Sequence, residues 1–245
     1  MSGPVWISHR GYSQLFTENT SNAFDAAVDL GFTHFETDLR TTCDGHLVLC
    51  HDPDLERIAG FSRSVEGATR SELASLQLKT AASTKCALLF FDEMVERYAE
   101  YRWTLDIKPE SGMQTLSYLL HLWTRPGYKE FLTDQVRFLF WRKEQEQYLL
   151  GHHPDAICMV REGGCRRAGV MSLMRLPSLA GILPGKVYSL PSRFMGIEVM
   201  RPEMVSRYHA YGAKVLAFLP ETDEDAKQAI ESGVDEILTN HRILL

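Results

Sequence analysis

Residues 33–52 read THFETDLRTTCDGHLVLCHD. Phe35, Thr37 and Leu39 alternate with Glu36, Asp38 and Arg40, the period of two that a β-strand imposes, so the two acids share a face. Asp44-Gly45 marks a turn, and the apolar run Leu47-Val48-Leu49-Cys50 then doubles back as the second arm of a hairpin. That arm delivers His51 and Asp52 toward the end of the strand bearing Glu36 and Asp38. A charged strand face of this kind can simply lie in water. The flanking sequence argues otherwise. Upstream, the apolar run at 4–8 leads into His9-Arg10-Gly11; downstream, the run at 103–105 leads into Asp106-Ile107-Lys108. Three strands with charge at their C-terminal ends are the walls of one polar site.

The chain has 245 residues, the size of one large α/β domain, and its 44% hydrophobic content suffices for a sizeable core. No apolar run reaches the ~18 residues of a membrane span, and the N-terminus MSGPVWISHRG lacks the basic segment and apolar core of a signal peptide. A cytoplasmic protein is expected. Five cysteines without C-x-x-C spacing suggest free thiols rather than disulfides or a zinc site. Cys50 and His51 are strand neighbours pointing to opposite faces, which argues against a Cys-His catalytic pair. A net charge of -6 opposes an extended nucleic-acid surface, while a small anion remains acceptable wherever positive charge is concentrated.

Outward from the central hairpin, strand and helix patterns alternate. Strands are expected at 5–9, 33–40, 103–108, 137–141, 156–160, 214–219 and 235–239, and two segments, 187–190 and 196–200, compete for the sixth place. Helices are expected at 21–30, 91–101, 114–123, 144–151, 165–174, 202–212 and 222–233, with caps at Asn19 or Thr20 and at Thr222. The irregular stretch after His51 holds one short helix at 71–76. Eight strands in such alternation predict an α/β fold, a (β/α)8 TIM barrel spanning residues 1–245 as one domain, with a small insertion after strand 2 at about 52–80. Gly163-Gly164 after the fifth strand is expected in a tight turn, with a phosphate-admitting loop as the alternative, and His152-His153 in a solvated loop.

In such a barrel the second and third strands are neighbours, so Glu36, Asp38 and Asp106 converge, flanked by His9 and Lys108. Three ionised carboxylates so close repel one another unless a cation sits among them, and an all-oxygen ligand set suits a hard ion, Mg²⁺ or Ca²⁺, over zinc. The competing reading makes the acids internal ion-pair partners of Arg10, Arg40 and Lys108. His9 and His51 are a candidate proton-transfer pair, since imidazole titrates near neutrality. Arg10 and Lys108 suit a phosphate oxygen. His34, His46, His121 and His209 belong to no constellation. Phe140, Trp141, Phe194 and Phe218 are either pocket lining or core.

The run HRGYSQLFTENTSNAFDAAVDLGFTHFETDLRTTCDGHLVLCHDPDLERIAG resembles the glycerophosphodiester phosphodiesterase family of cytoplasmic bacterial type, in the order and spacing of HRG, ENT, AF, E-x-D, DG and HD. LDIKPE is similar to that family's third strand and VDEILTN to its last, while the irregular stretch is similar to its insertion. The resemblance implies a barrel hydrolase with His9 and His51 as the acid/base pair. It implies Glu36, Asp38 and Asp106 as ligands of a divalent metal, Mg²⁺ first with Ca²⁺ or Mn²⁺ as alternatives, and Arg10 and Lys108 on the phosphate. The chain departs from the pattern in three places: Asp106 where Glu is commoner, Ala217-Phe218 where strand seven usually has Trp, and Phe140-Trp141 where Ser-Phe is common. The expected activity is hydrolysis of a glycerophosphodiester, a small-molecule substrate, to sn-glycerol 3-phosphate and an alcohol. Two alternatives stand beside it: a sphingomyelinase D-like phospholipase or lysophospholipase D, and a barrel that binds an anion without turnover.

Overall fold

The computed structural model describes residues 3–79 and 86–240 and divides the chain into two compact units, residues 8–158 and residues 1–7 with 159–245. Strand β1, Val5–His9, spans the division, and His9 falls in the first unit. Helix α1, Ser21–Asp29, starts at Thr20, whose hydroxyl accepts from the Ala23 N–H as an N-cap should. Strand β2, His34–Thr41, pairs antiparallel with β3, Leu47–Leu49, with Leu39 opposite Leu49 and Thr41 opposite Leu47, so the expected hairpin is present.

The stretch that follows is more structured than its sequence suggests. β4, Asp54–Leu55, pairs antiparallel with β5, Phe61–Ser64, around the four-residue helix α2, Glu56–Ala59. The expected short helix is α3, Arg70–Ala74, held by a capping box between Thr69 and Glu72. Val48, Leu55, Ile58, Val65, Leu73 and Phe90 bury one another beneath this excursion. Position 80, the end of the span expected for the insertion, lies outside the described residues.

Regular alternation then resumes. α4, Phe91–Tyr98, precedes β6, Arg102–Ile107; α5, Gly112–Trp123, and α6, Tyr128–Asp134, precede β7, Val136–Phe140; α7, Lys143–His152, precedes β8, Ile157–Cys158. β2, β6, β7 and β8 are parallel in that order. One sheet face is apolar, where Phe24 of α1 meets Phe35 and Trp103 edge-on at 5.9 and 5.1 Å. The other carries Glu36, Asp38, Thr104 and Asp106, all buried. Strands buried on both faces suit a parallel sheet covered by helices, and the solvated-face reading of β2 falls with them. His153 corrects a second expectation, because it stacks on Trp123 at 4.0 Å rather than lying in a solvated loop, and His152 belongs to α7.

The other unit contains α8, Glu162–Leu173, then β9, Val187–Pro191; the short antiparallel pair β10, Arg193–Phe194, and β11, Ile197–Glu198; α9, Pro202–His209; β12, Lys214–Phe218; α10, Asp223–Glu231; and β13, Glu236–Thr239. β9, β12 and β13 are parallel neighbours. Of the two segments competing for the sixth strand, the first pairs in the sheet, with Val187 opposite Lys214, and the second forms half of the β10–β11 hairpin. Gly163 and Gly164 lie in α8 and not in a turn, since the Gly164 N–H already donates to Arg161 O. The core here is built from Tyr188, Leu190, Met204, Tyr208, Val215 and Ile237.

Candidate active site and metal centre

All seven residues singled out for chemistry fall in the 8–158 unit. Register places the acids: Asp38 of β2 lies directly opposite Asp106 of β6, and Glu36 opposite Thr104. Glu36, Asp38 and Asp106 each offer a carboxylate oxygen within 4.8 Å of the others, and all three are buried. His9 joins them, its Nε2 3.7 Å from Glu36 Oε2. The chain then turns tightly through Arg10 and Gly11. Gly11 has φ +81°, and a Cβ there would lie 2.6 Å from the Ala23 backbone, so α1 can approach the histidine strand only over a glycine.

The cations divide their attention among the acids. Lys108 Nζ lies 2.7 Å from Asp38 Oδ1 and 2.7 Å from Asp106 Oδ2. Arg10 Nε lies 2.8 Å from Asp38 Oδ2, and its Nη1 3.2 Å from Glu18 Oε1. Asn19, held with φ +58°, donates through Nδ2 to Asp38 Oδ2 at 3.0 Å. Part of the ion-pair reading is therefore realised for Arg10 and Lys108. Arg40 is not part of it: its guanidinium meets Glu66 at 2.8 Å and Glu110 at 3.4 Å, and donates twice to the His51 carbonyl, at 3.1 and 2.8 Å.

Glu36 is left over. Its Oε2 is buried and receives no hydrogen bond, and burial, followed by the charge of Asp38, pushes its carboxyl well above the ordinary glutamate value. Asp106 is raised by burial too, against the pull of Lys108. Asp38 goes the other way, because the charges of Lys108 and Arg10 outweigh its burial. An orphan carboxylate oxygen beside two more acids fits a hard divalent cation, which takes oxygen ligands and would offset the charge that burial disfavours on Glu36.

His51 stands at the end of the hairpin, where the Cys50 N–H donates to Asp38 O at 3.0 Å. Its side chain is 39% exposed, and its Nδ1 lies 2.7 Å from Asp52 Oδ1. Cys50 is buried on the opposite side, as the alternation requires. Trp141, expected as pocket lining or core and as a departure from the Ser-Phe pattern, donates from Nε1 to Asp106 Oδ1 at 2.7 Å and leaves half its surface exposed. The site contacts of Asn19, Glu18 and Asp52 were not singled out from the sequence, and Arg40 was expected among the ion-pair partners of the acids. The ENT and HD motifs contain all three, but nothing local says that Asn19 will meet Asp38, 19 residues on, or Glu18 meet Arg57, 39 residues on.

The family model described as the glycerophosphoryl diester phosphodiesterase family matches residues 9–243. The chain belongs to that family. Among curated relatives, a probable glycerophosphodiester phosphodiesterase 2 of Mycobacterium tuberculosis is 24% identical over 99% of this chain and 89% of its own length. A glycerophosphodiester phosphodiesterase of Caldanaerobacter subterraneus is 26% identical over 96% and 93%. The fold agrees. The glycerophosphoryl diester phosphodiesterase domain of a Mycobacterium tuberculosis protein superposes with a TM-score of 0.81 at 17% identity, covering 98% of this chain and 96% of that one. An Oleispira antarctica phosphodiesterase, solved in complex with the product sn-glycerol-3-phosphate, gives 0.72 at 20% identity over 97% and 93%. These likenesses carry the α/β, TIM-barrel-like character of the family fold to this chain.

Proposed function

We propose that the protein hydrolyses glycerophosphodiesters to sn-glycerol 3-phosphate and an alcohol, with a divalent metal held by Glu36, Asp38 and Asp106. The observation that carries this reading is the buried three-carboxylate group with the orphaned Glu36 oxygen beside His9, in a chain of this family. When bound, the ion supplies charge neutralisation at a non-bridging phosphate oxygen and a lowered pKa for a nearby hydroxyl, with Mg²⁺ the first choice and Ca²⁺ or Mn²⁺ the alternatives.

Arg10 and Lys108 bring positive charge to the same place. Arg10 spends Nε on Asp38 and Nη1 on Glu18, so Nη2 is the nitrogen its described ion pairs leave for a phosphate oxygen. The glycerol 2-hydroxyl is tethered to the phosphorus it attacks, which removes the entropic cost of capturing a water in the first step. One of His9 and His51 takes that hydroxyl proton, and the other protonates the departing alcohol. A cyclic 1,2-phosphate forms; water then opens it with the two roles exchanged.

The test is a purified-protein panel of glycerophosphodiesters and lysophospholipids, assayed with each divalent ion and with excess chelator. Glycerophosphodiester turnover that chelator abolishes is expected, and His9→Ala and His51→Ala should each lower kcat by about 10²-fold or more without unfolding the protein. A substrate analogue lacking the 2-hydroxyl should bind and hardly react. Full activity in chelator removes the metal from the reading; equal rates for the deoxy analogue replace intramolecular attack by direct attack of water.

A further inference from the structure

His51 Nδ1 lies 2.7 Å from Asp52 Oδ1, and what stands behind Asp52 comes from the excursion after β3. Asp52 Oδ2 accepts from Arg57 Nε at 2.7 Å. The same guanidinium turns its outer edge to Glu18, donating from Nη2 to Oε1 at 2.7 Å and from Nη1 to Oε2 at 3.2 Å. Glu18 in turn holds Arg10 Nη1 at 3.2 Å, and Arg10 reaches Asp38. A chain of alternating charge thus runs from the His51 ring, through Asp52, Arg57, Glu18 and Arg10, to the carboxylate cluster.

We infer that Arg57 is a positioning residue for His51: by gripping Asp52 and Glu18 together it holds the imidazole with Nδ1 protonated and Nε2 open to the reacting atoms. This rests on the proposed role of His51 in proton transfer. The chemistry runs as follows. Burial works against ionisation of Asp52, but hydrogen bonds from His51 and Arg57 prevail and hold its carboxyl below the ordinary value, so near neutrality it is an acceptor only. The ring nitrogen facing it must then be the N–H, and the neutral ring keeps its lone pair on Nε2. Were Asp52 free to swing away, the ring could take either tautomer and rotate.

A purely structural role accounts poorly for this arrangement. The Arg57 side chain is 53% exposed, and exposed ion pairs add little to stability. Its position, by contrast, is firmly set: its neighbour Ile58 is buried in the small core under the excursion, and Ile58 O accepts from the Lys79 N–H at 2.7 Å. The His51 backbone is secured separately, through Arg40, so Arg57 acts on the ring alone. Arg63, which pairs with Glu72 at 2.7 Å in the same excursion, is the natural control.

The experiment is two-bond proton–nitrogen NMR of the His51 imidazole in ¹⁵N-labelled, metal-loaded full-length protein, at a pH where the ring is neutral, together with kcat and KM. In the unmodified protein Nδ1 should give a pyrrole-type and Nε2 a pyridine-type signal. Arg57→Gln and Asp52→Asn should shift the ring toward a tautomer mixture. Arg57→Gln should lower kcat about tenfold, part of the 10²-fold or more that a general acid or base supplies, with KM little changed. Arg57→Lys should recover part of both effects, since one ammonium cannot fork between two carboxylates. Arg63→Gln should alter neither. An unchanged tautomer in Arg57→Gln, or an equal loss of kcat in Arg63→Gln, overturns the inference. If no phosphodiester is turned over at all, the proposed function fails, while the tautomer signals still decide whether Arg57 positions the ring.

Discussion

The fold opposes the ionisation of Glu36, and its neighbours make the sign of the effect plain. A carboxyl whose folded-state pKa is raised gives stability that is fully present below the ordinary glutamate value and is lost as pH rises through the raised one. Burial and the charge of Asp38 do the raising, so without a cation the protein should lose stability as pH climbs out of the usual carboxylate range. Glu36→Gln, which keeps the shape and removes the charge, should therefore raise the melting temperature of chelator-treated protein near neutrality while abolishing turnover; a lowered melting temperature would contradict the assignment. At this scale the sequence was informative where chemistry is local. Period two alone puts Glu36 and Asp38 on one face, and β2–β6 register then sets Asp38 opposite Asp106. Trp141 was opaque, because its bond to Asp106 depends on how β7 ends beside β6, which no spacing records.

The β2–β3 hairpin separates the two jobs of a turn. Gly45 has φ +85°, and a Cβ there would come within 2.6 Å of the Tyr118 hydroxyl. Gly45→Ala should cost about 1–3 kcal/mol, from the left-handed conformation and the displaced tyrosine. The rate well below the transition should be nearly unchanged, because Leu39–Leu49 pairing and the bond from Cys50 N–H to Asp38 O hold the His51 end independently. Thermal melting and kcat on the same preparation check both halves. Elements with a strong period or a cap were legible, among them α1 with Thr20 and α10 with Thr222. Those made by tertiary contact were not: α6 follows Gly127 in a segment without clear periodicity, and β4 and β5 are too short for a pattern to register. Gly163-Gly164 misled for a related reason, since glycine permits a turn without requiring one.

For the molecule as a whole, the proposed metal site would tie folding to the divalent ions around it. A ligand that binds only the folded state stabilises it by about 2.7 kcal/mol at a hundred times its dissociation constant. For a chain of 245 residues that is a rise of roughly 5–10 °C in melting temperature, which calorimetry with and without Mg²⁺ or Ca²⁺ should show and which Asp38→Asn should suppress. No helix among the described residues is long and apolar enough to cross a membrane, and the described cysteines are free thiols. The main alternation of strand and helix was readable because the longer helices carry an apolar face that must cover a sheet. The division into two compact units was not, since no proline- or glycine-rich linker near residue 158 announces it.

The pairing of Asp38 with Asp106 gives β6 a parity. Its even-numbered residues, Thr104 and Asp106, belong with the acids of β2, and its odd-numbered ones, Trp103, Leu105 and Ile107, with the apolar side. A single residue inserted into that strand ahead of Asp106 would act like a frameshift written in side chains, sending a carboxylate toward Phe24 and a leucine toward Lys108. Two inserted residues would restore the phase. The strand can thus change length only in steps of two if the acids of β2 and β6 are to stay on one face.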